Sequence, residues 1–142
     1  MFFGNYPGTL DDKGRVHIPS IINKLVGDDK TLMIARWRHC LSAFPRESFE
    51  AMGQRLAEQS KQKENRAKVH RIVSNFFHGT IKNGKLLIPQ ELRRVFFELD
   101  KKVRIVGMID HIEIWNQSDW ERRDAEAPGV GIKDDLDDLE IL

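Results

Sequence analysis

A long internal repeat restricts the fold of this chain more than any other feature of its sequence. The segment Gly14-Arg15-Val16-His17-Ile18-Pro19 recurs 70 residues later as Gly84-Lys85-Leu86-Leu87-Ile88-Pro89. With one inserted residue, the correspondence continues through apolar positions, which pair Leu32 with Val103, Ile34 with Ile105, Leu41 with Ile112, Phe44 with Trp115 and Phe49 with Trp120. The chain to about residue 123 is therefore duplicated.

Each copy has the pattern of a strand, a glycine turn, a second strand, a short helix, a hairpin and a further helix. In the first copy, Gly14 provides the turn, because glycine adopts positive φ at little cost. Pro19 opens the short helix, where the missing N–H of proline had no intrahelical partner. Two β-prone runs, residues 31–35 and 41–44, flank a turn near Arg38 and predict the hairpin.

The segment from Pro45 to about Phe77 interrupts this symmetry. Its apolar residues recur near helical spacing, but residues 58–68 are very polar, so the pattern predicts two helices with a weak junction. The segment also carries a basic run, which is interpreted as a solvated helix face in preference to a nucleic-acid contact. The run comprises Lys61, Lys63, Arg66, Lys68 and Arg71.

Composition places the chain among ordinary globular proteins. Of its 142 residues, 40% are hydrophobic and 32% are charged, and no apolar run approaches the length of a membrane span. The first residues lack the pattern of a secretory signal, and a single cysteine fits a reducing compartment. We expect a cytoplasmic protein that forms one or two small domains.

The formal charge of +1 hides a strong asymmetry. Residues 124–142 hold seven acids and one lysine, so their removal from the totals leaves 22 bases and 15 acids in residues 1–123, a charge of about +7. A basic body favours polyanion binding. The glycine turns, flanked by Lys13 and Arg15, are suited to approach a DNA groove, although a surface hairpin with incidental charges has the same pattern.

Four segments together resemble the MraZ family of bacterial transcriptional regulators, in the SpoVT/AbrB-like group. These are Met1-Phe2-Phe3-Gly4, the run from Leu10 to Pro19, Ile105-Val106-Gly107 and Glu113-Ile114-Trp115. The resemblance implies an α+β fold with a mainly β core, in which tandem swapped-hairpin halves form a pseudo-two-fold unit with peripheral helices. The expected division is residues 1–75 for the first half with its linker helices, 76–123 for the second half and 124–142 for a flexible acidic tail.

The resemblance also implies the DNA-contacting residues. The family's D-x-x-x-R motif falls on Asp11 and Arg15, with Arg15 the principal DNA contact, Asp11 its orienting partner and Lys13 a phosphate contact. In the second half, the corresponding residues are taken as Ile81 and Lys85. That half is therefore expected to contact the DNA backbone through Lys82 and Lys85, with Gly14 and Gly84 shaping the two turns. Position 3, often basic in the family, is Phe3 here.

The resemblance further implies a non-enzymatic regulator that binds direct repeats in promoter DNA. The expected targets are its own promoter and the division and cell wall gene cluster, and the direction of effect that the family implies is repression. A closed ring of copies on nucleoid DNA is the expected assembly, with no membrane and no small-molecule substrate as partner. An AbrB-like antitoxin or protein-binding scaffold remains the alternative function.

Other residue types do not favour a different chemistry. His39 and Cys40 are adjacent on a predicted strand and so point to opposite faces, which argues against a thiolate nucleophile activated by the histidine. The five histidines lack metal-ligand spacing, so neither a metal nor another cofactor is expected. At least two of the three tryptophans align with core positions of the other half. The acidic tail is interpreted as a solubilising segment, with DNA mimicry and docking on a neighbour as the alternatives.

Overall fold

The computed structural model describes residues 1–96, 101–126 and 131–141, with the side chains of residues 94–96 left out. Eight strands form one sheet, and six α-helices and a 3-10 turn lie around it in the described ranges. The strands are β1 (Asn5–Thr9), β2 (Arg15–His17), β3 (Thr31–Arg36), β4 (Cys40–Pro45), β5 (Phe77–Lys82), β6 (Lys85–Leu87), β7 (Lys102–Met108) and β8 (His111–Asn116). The helices are α1 (Ser20–Asn23), α2 (Arg46–Gln59), α3 (Arg66–Val73), α4 (Gln90–Phe96), α5 (Gln117–Ala125) and α6 (Ile132–Asp138).

The two halves of the chain exchange strands within this sheet. Its order is β1-β7-β8-β4-β3-β5-β6-β2, and every pairing is antiparallel. The first strand of each half pairs with the third strand of the other half, since β1 lies on β7 and β5 lies on β3. A bridge between Leu10 and Val16 brings the two edges together and nearly closes the sheet into a barrel. The expectation of an α+β fold with a mainly β core is confirmed.

The barrel interior contains one core to which both halves contribute. Alternation along each strand points every second side chain inward. Repeat-related pairs such as Ile22 with Leu92, and Leu32 with Val103, are at most 6% exposed. The central β4–β8 pairing joins the halves, with Leu41 opposite Ile114. Neither half encloses this core alone.

The segment between the halves contains the two predicted helices. Helix α2 packs on β3 and β4, and a 3-10 turn (Lys63–Asn65) separates it from α3. This junction lies within the polar stretch where a weak point was predicted. All five residues of the basic run are exposed, as a solvated helix face requires.

Helix α6 lies in the acidic segment, and the apolar residues Ile132 at its start and Leu139 just after its end are exposed. The flexibility of this segment and the division at residues 75 and 76 stay predictions. No helix within the described ranges is both long enough and apolar enough to cross a membrane.

Candidate nucleic-acid interface

The first glycine turn spans residues 11–15 and joins β1 to β2. Asp11 and Arg15 flank a three-residue loop, residues 12–14. The Asp11 amide donates to the Arg15 carbonyl at 2.9 Å, and the Gly14 amide donates to the Asp11 carbonyl at 3.0 Å. Gly14 has φ +82°, the left-handed conformation that closes a hairpin loop of this length with a bulge. The sequence predicted this role for Gly14.

Asp11 holds the side chain of Arg15 in a fixed orientation. One carboxylate oxygen of Asp11 accepts hydrogen bonds from the amides of Arg15 at 2.8 Å and Lys13 at 2.9 Å, and the other accepts from Arg15 Nε at 2.8 Å. The Arg15 amide is the main cause that lowers the pKa of Asp11 below its ordinary value of 3.8, so Asp11 is an anion at neutral pH. The terminal nitrogens Nη1 and Nη2 of Arg15 make no hydrogen bond with any described residue. The planar end of the guanidinium is therefore open to a ligand.

The second turn, residues 82–85, is shorter by one residue. Lys82 pairs with Lys85 across a two-residue loop in which Asn83 has φ +53° and Gly84 has φ +76°. Two consecutive positive φ values define a type I′ hairpin, for which Asn-Gly is the preferred sequence. Lys82 and Lys85 are both exposed, so this turn presents two lysines and no acid.

The difference in turn length corrects the assignment of Ile81 to the position of Asp11. Ile81 pairs with Leu86 and donates its amide to the Lys30 carbonyl at 2.8 Å. Leu10 bridges Val16 and donates to the Lys101 carbonyl at 2.7 Å, so Leu10 is the structural counterpart of Ile81. Both are buried. The counterpart of Asp11 is Lys82, so an acid in the first turn is replaced by a base in the second.

Strands β2 and β6 place the two turns on one antiparallel ribbon. Val16 and Leu86 face the core and are fully buried, while four side chains point outward. We call these four the outer ribbon face, which consists of Arg15, His17, Lys85 and Leu87. The Gly14 carbonyl accepts from Ile88 at 2.9 Å, and the Gly84 carbonyl accepts from Ile18 at 2.8 Å. Each turn is thus hydrogen-bonded to the other half.

Acids near the first turn are engaged with bases. Lys101 forms an ion pair with Asp12, and Asp11 forms one with Arg15. A further cation, Arg93 of α4, donates from Nη1 to the Lys13 carbonyl at 2.7 Å. Sequence analysis did not single out Arg93, because its counterpart in the first half is Asn23 and the repeat alone does not show that an α4 residue reaches residue 13.

Three further candidates from the sequence, Cys40, Trp115 and Trp120, pack within the fold. Cys40 is 3% exposed, and burial raises the pKa of its thiol to about 12, the opposite of an activated nucleophile. Trp115 is buried and Trp120 packs edge-on against it with ring centroids 5.7 Å apart, so the core interpretation of two tryptophans is confirmed. Among the described residues, no group of three His, Cys, Asp or Glu side chains is arranged to hold a metal ion.

A buried charged cluster lies on β8, on the sheet face away from the barrel core. The His111 ring stacks on Phe44 with centroids 4.5 Å apart, and its Nδ1 lies 2.7 Å from a carboxylate oxygen of Asp110. Its Nε2 lies 3.8 Å from Glu113 Oε2, which is too long for a hydrogen bond but close enough for coulombic attraction. The other oxygen of Glu113 accepts from Trp115 Nε1 at 3.0 Å.

This cluster predicts a pH-dependent stability. Burial alone would lower the pKa of His111, but Glu113 and Asp110 raise it above 6.5. Burial alone would raise the pKa of Glu113, but His111 and Trp115 lower it below 4.5. His111 therefore stabilises the fold below pH 6.5 and loses this effect as pH rises through its raised pKa. Glu113 stabilises it above pH 4.5 and loses this effect as pH falls. We expect Glu113→Gln to lower the free energy of unfolding by about 2 kcal/mol between these values.

Urea unfolding of wild type and Glu113→Gln from below pH 4.5 to above pH 6.5 measures the effect. The difference in free energy is expected to shrink as pH falls through the lowered pKa of Glu113 and as pH rises through the raised pKa of His111. A difference that stays constant with pH would show that the amide disturbs packing and that the charges do not interact.

The fold and the turns together define a class of protein: an internally duplicated α+β protein whose halves exchange strands and present basic turns on a shared ribbon. A family model described as "MraZ protein, putative antitoxin-like" matches residues 1–72 and 82–129. The chain belongs to the MraZ family.

Relatives across several bacteria support this assignment. A protein of Desulforamulus reducens named "Transcriptional regulator MraZ" is 30% identical over 132 residues, 89% of each chain. A protein of the same name from Carboxydothermus hydrogenoformans is 35% identical over 126 residues, 84% of each chain. Another from Finegoldia magna is 30% identical over 148 aligned positions, 99% of this chain and all of the relative. Similarity therefore extends over most of the chain.

Proposed function

We propose that this protein is a transcription regulator that binds promoter DNA sequence-specifically through the outer ribbon face and the turns beside it. The observation that carries the proposal is the orientation of Arg15, which Asp11 fixes through Nε while Nη1 and Nη2 stay open. A guanidinium held in this way is suited to bind guanine O6 and N7 together. The family membership and the names of the relatives support the same function.

The geometry of the ribbon supports entry into the major groove. That groove admits a two-stranded antiparallel ribbon, and the exposed side chains of β2 and β6 alternate along one outward face. Arg15 lies opposite Leu87, and Lys85 lies opposite His17. We assign base reading to the first turn, with Lys13 on a phosphate, and backbone attraction to Lys82 and Lys85.

One oriented arginine per chain gives weak discrimination, so the proposal includes assembly. Several copies in a closed ring would engage successive direct repeats, and binding of the first copy raises the effective concentration of the others. The proposed targets are the protein's own promoter and the division and cell wall gene cluster. Occupancy of the promoter by the ring would repress transcription, in the cytoplasm and on the nucleoid.

The test is a titration of labelled DNA from upstream of the protein's own gene. A shuffled duplex of equal composition is the comparison, at about 50 mM and about 200 mM salt. We expect tighter binding to the upstream DNA at both concentrations and a steep loss of affinity with salt. Equal affinity for the two duplexes would contradict sequence-specific binding and favour the scaffold or antitoxin alternative. Light scattering at micromolar concentration tests assembly, and a strictly monomeric protein would remove the ring.

A further inference from the structure

Helix α4 of the second half places an arginine over the first turn. Arg93 Nη1 donates to the Lys13 carbonyl at 2.7 Å, although 80 residues separate the two in sequence. A Cβ at Gly14 would lie 1.6 Å from the same Nη1, so the arginine occupies the space that any larger residue needs. Gly14 is required here for its positive φ, and its lack of a Cβ leaves room for this close approach.

The second turn has no comparable cation among the described residues. The repeat counterpart of Arg93 is Asn23, which follows Ile22 as Arg93 follows Leu92. Its carbonyl accepts from Lys30 Nζ at 2.5 Å. A Cβ at Gly84 would meet only His17, whose nearest ring carbon lies 3.4 Å away. The arginine over the turn is therefore one-sided.

The charge of Arg93 is not neutralised by an acid in the described part of the chain. Its hydrogen bond goes to a neutral carbonyl, and its Nε and Nη2 donate to no described residue. The acids nearest in sequence to the turn tip, Asp11 and Asp12, are paired with Arg15 and Lys101. A guanidinium with open donors beside an exposed turn is suited to bind a phosphate.

We propose that Arg93 is a third cationic residue of the first turn, supplied by the second half, which holds the Lys13 carbonyl and binds a DNA phosphate beside the base that Arg15 contacts. This inference rests on the proposed function. It makes the base-reading turn a composite of both halves. It also gives a second reason, besides Asp11, for the unequal roles of the two turns.

The variant Arg93→Gln tests the charge, because an amide still offers a donor to the Lys13 carbonyl. The slope of log affinity against log salt is negative, and we expect its magnitude to decrease by about 0.9, the value for one phosphate contact. Preference for upstream over shuffled DNA should remain, because Arg15 is intact. Arg55→Gln is the matched control: Arg55 is exposed on α2, which packs on β3 and β4, away from the ribbon, and this variant should keep the wild-type slope.

Two further measurements keep this proposal separate from folding and from the proposed function. Arg93→Lys retains the charge and should retain the wild-type slope; a slope as low as that of Arg93→Gln would overturn the phosphate contact. A wild-type slope in Arg93→Gln would overturn the inference alone, provided that wild type selects upstream DNA and Arg15→Ala does not. If wild type shows no selection, the proposed function fails and the inference fails with it.

Discussion

Arg15→Ala is expected to abolish the preference of this protein for its upstream DNA over shuffled DNA. The Arg15 guanidinium is held at Nε by Asp11, at 2.8 Å, and its open end is the only arginine fork on the outer ribbon face. A bidentate contact to guanine discriminates against other bases by about 1–3 kcal/mol, or roughly 5- to 150-fold. Because each copy in an assembly would lose the same contact, the loss of preference increases with the number of copies bound.

Competition binding at fixed salt measures this preference as the ratio of affinities for the two duplexes. Lys85→Ala is the matched comparison, since Lys85 lies on the same ribbon face but offers a point charge without a fork. It should weaken binding to both duplexes to a similar extent and leave their ratio unchanged. If Arg15→Ala keeps the wild-type ratio and affinity, the first turn does not read bases.

Asp11→Asn would remove the carboxylate that orients Arg15 and leave the positive charge of Arg15 itself in place. Asparagine retains an oxygen for the amides of Lys13 and Arg15, which keeps the turn, but it lacks the anion that holds Arg15 Nε. We therefore regard Asp11 as the positioning residue of Arg15. This role was expected from the resemblance of the sequence, and the Asp11 contacts supply the physical reason for it.

The local features of the two turns were predictable because their chemistry is local. Gly14 and Gly84 stood out as glycines between strands, and each has positive φ. The misplacement of Ile81 arose from assuming equal turn lengths. The Asn83-Gly84 pair was itself a signal for a two-residue type I′ loop, whereas Asp12-Lys13-Gly14 fits a three-residue loop. These signals identify Lys82, and not Ile81, as the repeat counterpart of Asp11.

Contacts between distant segments were not predictable from the residues. The repeat indicated two similar halves, but it did not show which strand pairs with which, because β1 is as compatible with β3 of its own half as with β7. Arg93 was missed for the same reason. Its hydrogen bond to Lys13 depends on the strand exchange, which brings α4 beside the other half's turn.

The strand exchange also explains why two segments far apart in sequence, residues 1–4 and 105–107, lie next to each other in the structure. Phe2 is 5% exposed and bridges Ile109, and the Gly107 amide donates to the Gly4 carbonyl at 2.8 Å. The N-terminal backbone crosses directly over Gly107. A Cβ there would lie 2.3 Å from the Phe3 nitrogen and 2.6 Å from the Phe2 carbonyl carbon. Backbone atoms cannot yield as the end of a flexible side chain does.

Gly107→Ala is therefore expected to displace the N-terminal segment and withdraw Phe2 from the core. Loss of a buried phenylalanine contact costs about 3–5 kcal/mol, and we expect a decrease of about 3 kcal/mol in the free energy of unfolding. Chemical denaturation at neutral pH measures it. Phe2→Ala should produce a loss of similar size, and the double variant should lose much less than the sum, because both changes remove the same contact.

Gly53→Ala separates this effect from the general consequence of adding a methyl group to glycine. Gly53 lies inside α2, and a Cβ there would meet no atom within 4 Å. Alanine in a helix interior is favoured over glycine by about 0.5–1 kcal/mol, so this variant should be slightly more stable than wild type. If Gly107→Ala is as stable as wild type while Gly53→Ala behaves as expected, the N-terminal segment does not pack over β7. In that case Phe2 does not anchor the β1–β7 pairing, which follows the N-terminal segment in the chain.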